Sequence, residues 1–510
     1  MMCVDVKKSD GADVETVKKN DEDNNKDGED KKDKLYVAIG EMGLWQGLLI
    51  FSLAVPCKIS AAWQMTAIIF LAPKTQYRCL MRLNSTEDIV INECYSDCVE
   101  YSYITNFDGS IITEFGLICD KAWLANLAQT MFMFGVLVGS MSFGFIADRY
   151  GRRKALLIAA LMQLVLSLVV SLSPEFWTLI IIRFLLGTCS AGLMVVSFVI
   201  MIEITGPKWR ELTSALFHIP SAIGEMVMPA FAYYLRSWTA FSIGVGVPNV
   251  IFLLFFLIPE SPRWLISVGK LEEASKVMER AAKRNKMAPM NYLEVAQTIA
   301  EESKIASTKE KQSTVSYIDL LTHPSLRVKN LLCCVAWFVM GIVYYGGKQY
   351  IGQTGSNVFI LMALAGALQV PGQLISGYLL KRMGRRKSAI GFLFICGVCN
   401  GLLAMPDDWF YLKIVTGTVA VSAAAGAFTI IYTFTSELFP TVARNMAVGA
   451  SSTTSRLGSM LAPFVAGMAQ GAWVPPLVFA TAPLLAIVAC CCLPETKGRK
   501  LADSIDLDVK

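Results

Sequence analysis

The chain has 510 residues, of which 54% are hydrophobic and only 17% charged, and its formal net charge is +5. Soluble domains sit nearer half apolar and a quarter charged, so a lipid bilayer is the expected solvent. The basic residues fall in short clusters between apolar runs, not along one surface with interleaved aromatics, which excludes a nucleic-acid binder.

Residues 1–35 are mostly charged or small and polar, as in Lys18-Lys19-Asn20-Asp21-Glu22-Asp23. They hold no apolar core of a cleavable signal peptide and read as a disordered cytosolic tail. A helix needs roughly 20 apolar residues to cross the hydrocarbon core. Spans are expected near residues 43–72, 123–146, 155–173, 176–202, 212–235, 238–258, 329–351, 354–380, 388–405, 410–435, 446–468 and 474–493. The expected fold class is therefore an all-α membrane protein of twelve transmembrane helices. Basic clusters occur at alternate connections: Arg149, Arg152, Arg153 and Lys154; Lys208 and Arg210; and Arg382, Arg385, Arg386 and Lys387. By the positive-inside rule these connections and both termini are cytosolic.

Two connections are long. The first, 73–122, falls outside and holds Cys79, Cys94, Cys98 and Cys119 together with the sequon Asn84-Ser85-Thr86. Glycosylation at Asn84 and two disulfides are expected there, with three connectivities open. Cys396 and Cys399 form a CxxC inside an apolar span, where packing is the expected role. The second long connection, 266–328, is polar, helix-prone and cytosolic. It separates a six-helix half over 36–265 from another over 329–495, and 496–510 form a second cytosolic tail.

The halves share signals. Gly144-Phe-Ile-Ala-Asp148-Arg149-Tyr-Gly151-Arg152-Arg153-Lys154 recurs as Gly377-Tyr-Leu-Leu-Lys381-Arg382-Met-Gly384-Arg385-Arg386-Lys387. Glu203 and Arg210 recur as Glu437 and Arg444, and Pro259-Glu260 recurs as Pro494-Glu495. Subtracting the first positions gives offsets of 233, 234 and 235 residues. Three pairs in register indicate a duplicated six-helix unit.

This architecture, the first copy of the signature, Arg183-x-x-x-Gly187 and Pro259-Glu-Ser-Pro-Arg263-Trp264-Leu265 resemble the major facilitator transporters. Four further features resemble the solute carrier 22 family of organic cation, anion and carnitine transporters, over residues 36–500. They are the large cysteine-bearing outer loop, Thr113-Glu114-Phe115-Gly116-Leu117-Ile118-Cys119-Asp120, Tyr344-Tyr345-Gly346, and Glu437-Leu-Phe-Pro-Thr-Val-Ala-Arg444-Asn445. The resemblance implies the major facilitator fold, a substrate site near the midplane between the halves, and alternating access. It further implies an inner gate of Asp148, Arg152, Glu203, Arg210, Glu260, Arg263, Glu437 and Arg444, which pair across the halves when the inner side is closed. Lys381, standing where the first copy has Asp148, breaks the symmetry of such a lock. Gly144 and Gly151 are expected to permit close approach and a tight turn.

Ionisable residues within spans cost several kcal/mol unless paired or facing water. The deepest are Lys58, Arg183, Glu225 and Arg456, with Lys348 near the outer part of the seventh span. Arg183 matches a motif usually given a structural or proton-linked role, and a structural one is expected here. Arg456 resembles the anion and carnitine branches; cation-preferring members carry an acid there and another where this chain has Gln369. A guanidinium in a low-dielectric cavity favours a carboxylate, which it binds bidentately. Glu225 is expected either to pair with Lys58 or Arg456, or to receive the ammonium of a zwitterion. Trp337 and Tyr344 align with cavity aromatics that could contact a quaternary ammonium.

The expected function is thus transport of small organic ions that carry a carboxylate, whether anionic or zwitterionic, resembling carnitine or a β-alanine derivative. The alternatives are an organic cation transporter, a sugar porter and a transport-inactive receptor. With only two histidines, His218 and His323, no enzyme site or metal cluster can be assembled. No cofactor or metal is expected beyond a coupling Na+ or H+. The expected partners are the organic ion and the lipid bilayer, with no nucleic acid. The chain is expected to work as a monomer in the plasma membrane.

Overall fold

The computed structural model describes residues 33–82, 90–310, 319–353, 357–468 and 473–498. Ten helices are long and apolar enough to cross a bilayer: Leu44–Thr66, Cys119–Tyr150, Arg152–Leu172, Phe176–Ile204, Pro207–Tyr234, Trp238–Leu257, Leu326–Ile351, Val358–Met383, Phe410–Leu438 and Val474–Cys492. Two further helices, Arg385–Leu402 and Thr441–Ala466, stand in the positions of the ninth and eleventh spans and complete the twelve. Their mean hydropathy is lowered by Arg385-Arg386-Lys387 in one. In the other it is lowered by Arg444, Arg456 and a run of hydroxyls. The order of spans matches the sequence expectation, although several helices run a turn further at the ends away from the disulfide-bearing loop. The first span stops at Thr66 and resumes as Ile68–Leu71.

The signature loops are tight turns because Gly151 and Gly384 hold φ values of 107° and 92°, a region that side chains disfavour. Gly144 behaves otherwise than expected, since a Cβ added there would meet open space. Close helix approach is achieved instead at Gly187, where a Cβ would run into the carbonyl oxygen of Phe132 and push the second and fourth spans apart.

The outer loop contains a feature that an all-helical reading omits. Strands β1 (Gln76–Arg82) and β2 (Cys98–Ile104) pair antiparallel, with Gln76 opposite Ile104 and Arg82 opposite Cys98. Of the three connectivities the structure has Cys79–Cys98 and Cys94–Cys119. Asn84 lies outside the described residues. On the opposite side, helix Lys34–Ile39 begins at Asp33, whose side chain accepts the Leu35 amide at 3.1 Å. Its Leu35, Tyr36 and Ile39 pack with Leu265, at the end of the first half, and with Met278 and Ala281 of the central loop. Residues 33–35, within the segment expected to be tail, thus belong to a packed helix and its cap.

The two halves meet at the helix ends on the side of the disulfide-bearing loop. Thr130 of the second span donates to the Met460 carbonyl of the eleventh at 2.8 Å. Phe359, at the start of the eighth span, has ring centroids 5.9 Å from Phe70, 5.5 Å from Phe107 and 5.5 Å from Tyr233.

Candidate functional site

At the helix ends that carry the signature clusters the sequence repeat is also a repeat of contacts. Arg152 holds Glu203 through Nη2 at 2.9 Å and Nε at 3.1 Å, and its Nη1 donates to the Ala147 carbonyl at 2.9 Å. Glu260 accepts the Arg153 amide at 3.1 Å. In the second half Arg385 holds Glu437 at 2.7 Å, and Glu495 accepts the amides of Arg385 at 2.9 Å and Arg386 at 3.1 Å. Burial alone would raise the Glu495 carboxyl, but the amides of Arg385, Lys497, Arg386 and Thr496 outweigh it and hold the group below the usual carboxylate range.

The gate residues singled out from the sequence are therefore gathered, but within each half. Arg210 donates to the Tyr36 hydroxyl at 3.1 Å and the Thr205 carbonyl at 3.3 Å. Arg263 also donates to Tyr36 at 3.1 Å and pairs with Asp33. The Tyr36 hydroxyl in turn donates to the Glu203 carbonyl at 3.0 Å. Arg444 lies partly buried in the first turn of the eleventh span. Asp148 lies 3.1 Å from Arg152 but its side chain is 75% exposed. The halves are thus joined at the ends on the side of the disulfide-bearing loop, and these charge pairs at the opposite ends lie within each half.

Deeper in the membrane, the ionisable groups sort into two sets. Glu225 pairs with neither Lys58 nor Arg456. Its carboxylate accepts two hydrogen bonds from Lys348, at 2.9 and 2.7 Å, and one from Gln369 at 2.6 Å. Lys348 also donates to the Tyr344 hydroxyl at 2.7 Å and to Gln369 at 3.2 Å. The Tyr344 hydroxyl donates to Gln369 at 2.9 Å. Four residues expected to bind substrate thus satisfy one another in this conformation. The reason is position, since Lys348 occupies the last turn of the seventh span, where the fifth and eighth spans come together.

The second set is Lys58 and Arg456. Lys58 is 7% exposed and its ammonium stands 4.2 Å above the Phe217 ring. Arg456 is half-buried and donates to the Tyr345 hydroxyl at 3.0 Å. Among the described residues neither Lys58 nor Arg456 has a carboxylate partner within 4.0 Å.

Trp337 is enclosed, with its indole N–H on Thr435 at 2.9 Å and its ring 5.3 Å from Phe428 and 5.6 Å from Tyr432. Arg183 is 1% exposed and spent on its own half, donating to Gln129 at 2.6 Å beside the Phe132 ring at 4.7 Å. Sequence reasoning missed Tyr345 and Phe217. Tyr345 was within the quoted Tyr344-Tyr345-Gly346, but adjacent helical residues point about 100° apart, and nothing in the sequence said which one meets the eleventh span.

Two repeated six-helix halves, with charged groups buried between them, define a major facilitator transporter. The "Sugar (and other) transporter" family matches residues 72–505. The chain is 30% identical to the organic cation transporter protein of Drosophila melanogaster, covering 93% of this chain and 94% of that protein. It is 34% identical to organic cation/carnitine transporter 2 of Homo sapiens, over 78% and 71% of the two chains, and 32% identical to human solute carrier family 22 member 13, over 83% and 77%. A crystal structure of a D-xylose-proton symporter superposes with a TM-score of 0.63 at 14% identity, covering 90% of this chain and all of that one, and so shares the fold. The chain belongs to the solute carrier 22 family. It is a multi-pass membrane transporter of small organic ions, not an enzyme, and transporters of this type need no cofactor.

Proposed function

We propose that the chain carries organic ions bearing a carboxylate, either anions or zwitterions, by alternating access between its two halves. The carrying observation is the pair of cations, Lys58 and Arg456, without a carboxylate partner among the described residues, while the charge of Glu225 is taken by Lys348. A substrate carboxylate supplies the missing countercharge and can take the Arg456 guanidinium bidentately. A purely cationic substrate would add to the repulsion. The printed names of relatives keep organic cations as the second reading, and one of those names joins cations to carnitine, a zwitterion. The test is uptake by expressing cells of labelled carnitine, a β-alanine derivative, a dicarboxylate and tetraethylammonium, with and without sodium. Carboxylates are expected to accumulate above tetraethylammonium, and the reverse order would replace this reading by the cationic one.

The clusters around Arg152 and Arg385 serve, on this reading, as the inner gate, exchanging partners across the halves when the inner side closes. The chain works as a monomer in the plasma membrane, with its termini and the 266–328 loop in the cytosol. Glycosylation of Asn84 reports that topology. Asn84→Gln is expected to lower the apparent mass on a gel, and a glycosidase that leaves the wild-type band unmoved would argue against an outer position for the loop.

A further inference from the structure

The Glu225–Lys348 pair differs from the cytosolic charge clusters in joining the two halves, since Glu225 belongs to the fifth span and Lys348 and Gln369 to the seventh and eighth. The backbones are close at that level. A Cβ added at Gly366 of the eighth span would lie 2.6 Å from the Met226 nitrogen and 2.9 Å from the Glu225 carbonyl carbon. The paired side chains are 3% and 9% exposed, and the three ammonium protons of Lys348 are met by Glu225, Tyr344 and Gln369. On the outer side of this knot, Phe359 of the second half is held among Phe70, Phe107 and Tyr233 of the first, with the Arg236 guanidinium 5.4 Å from its ring.

We propose that Glu225 and Lys348 form the charged latch of the outer side, holding the halves together while the inner side is open. The fifth and eighth spans cannot part at this level without separating the pair. Once separated, each member is an isolated charge in a low-dielectric wall until water or another ion reaches it. The intact pair therefore biases the molecule toward outer closure, and losing either member removes that bias. Both partners belong to the chain, so the latch acts with no substrate present and its test is independent of which ions are carried.

A reporter is available in the crevice between the halves, which is lined by Met65, Ile69 and Gln129 on one side and Lys348, Gln349 and Ser459 on the other. Ser459 is fully buried in the closed form. With Ser459→Cys as background, a membrane-impermeant thiol reagent is applied to intact cells without substrate, and labelling is read on surface protein only, against the chain with its native cysteines. Labelling is expected to be slow in the background. It should be roughly tenfold faster after Glu225→Gln or Lys348→Met, and slow again when the charges are exchanged by Glu225→Lys with Lys348→Glu. Unchanged labelling in either single variant, or an exchanged pair that labels as fast as the singles, overturns the latch.

Discussion

Arg456→Ala is expected to abolish most uptake of carboxylate substrates, and Arg456→Lys to leave an intermediate rate. The guanidinium of Arg456 keeps one hydrogen bond inside the protein, to Tyr345 at 3.0 Å, and no carboxylate among the described residues balances its charge. A bound carboxylate then completes a desolvated pair. Removing one partner of such a pair costs about 3–5 kcal/mol, which corresponds to roughly two to four decades in affinity. Lysine keeps the charge but loses the fork that grips both carboxylate oxygens. Concentration dependence of uptake at matched surface density measures the effect. If Arg456→Ala leaves carboxylate uptake untouched, or if tetraethylammonium is the preferred ion throughout, the substrate class is wrong.

The second large effect is expected at Arg152. Its side chain is 12% exposed and that of its partner Glu203 17%, so alanine would leave Glu203 with its charge largely uncompensated. The cost should be about 3 kcal/mol, the low end for a buried pair because some water reaches this one. Uptake per surface molecule should fall at least tenfold, and Arg152→Lys should recover part of it. Arg385→Ala should reproduce the loss in the second half, because Arg385 holds Glu437 at 2.7 Å in the same way. Wild-type uptake by Arg152→Ala at equal surface density would reject the gating role. Asp148→Asn should be milder than Arg152→Ala in this conformation, since Asp148 projects into solvent.

The contrast between these sites shows what could be read without coordinates. The span positions were legible because a bilayer demands long apolar runs, and the local sequence meets or fails that demand by itself. The signature clusters were legible as a repeat, since Arg152, Glu203 and Glu260 recur as Arg385, Glu437 and Glu495. That each triad would close within its own half was not, because the sequence carries no record of which conformation the molecule occupies. The disulfides were legible as a set of four cysteines, and their pairing came only with the strand register that sets Cys79 and Cys98 on facing strands of the hairpin.

Glu225 is the clearest case. Its presence in an apolar span announced a partner, but the partners expected from the sequence were Lys58 and Arg456, not the Lys348 that the structure brings to it. Hydropathy and spacing determine how deep a residue sits along its helix, because each residue advances the helix by a constant 1.5 Å. The sequence alone therefore determined the twelve spans, the duplication, the surplus of buried cations and the outer loop's cysteine content. Only the tertiary structure decided that Glu225 meets Lys348 while Lys58 and Arg456 keep their charges uncompensated. Helix rotation and the approach of one span to another are set by side-chain packing between segments far apart in the chain, and no local pattern encodes them.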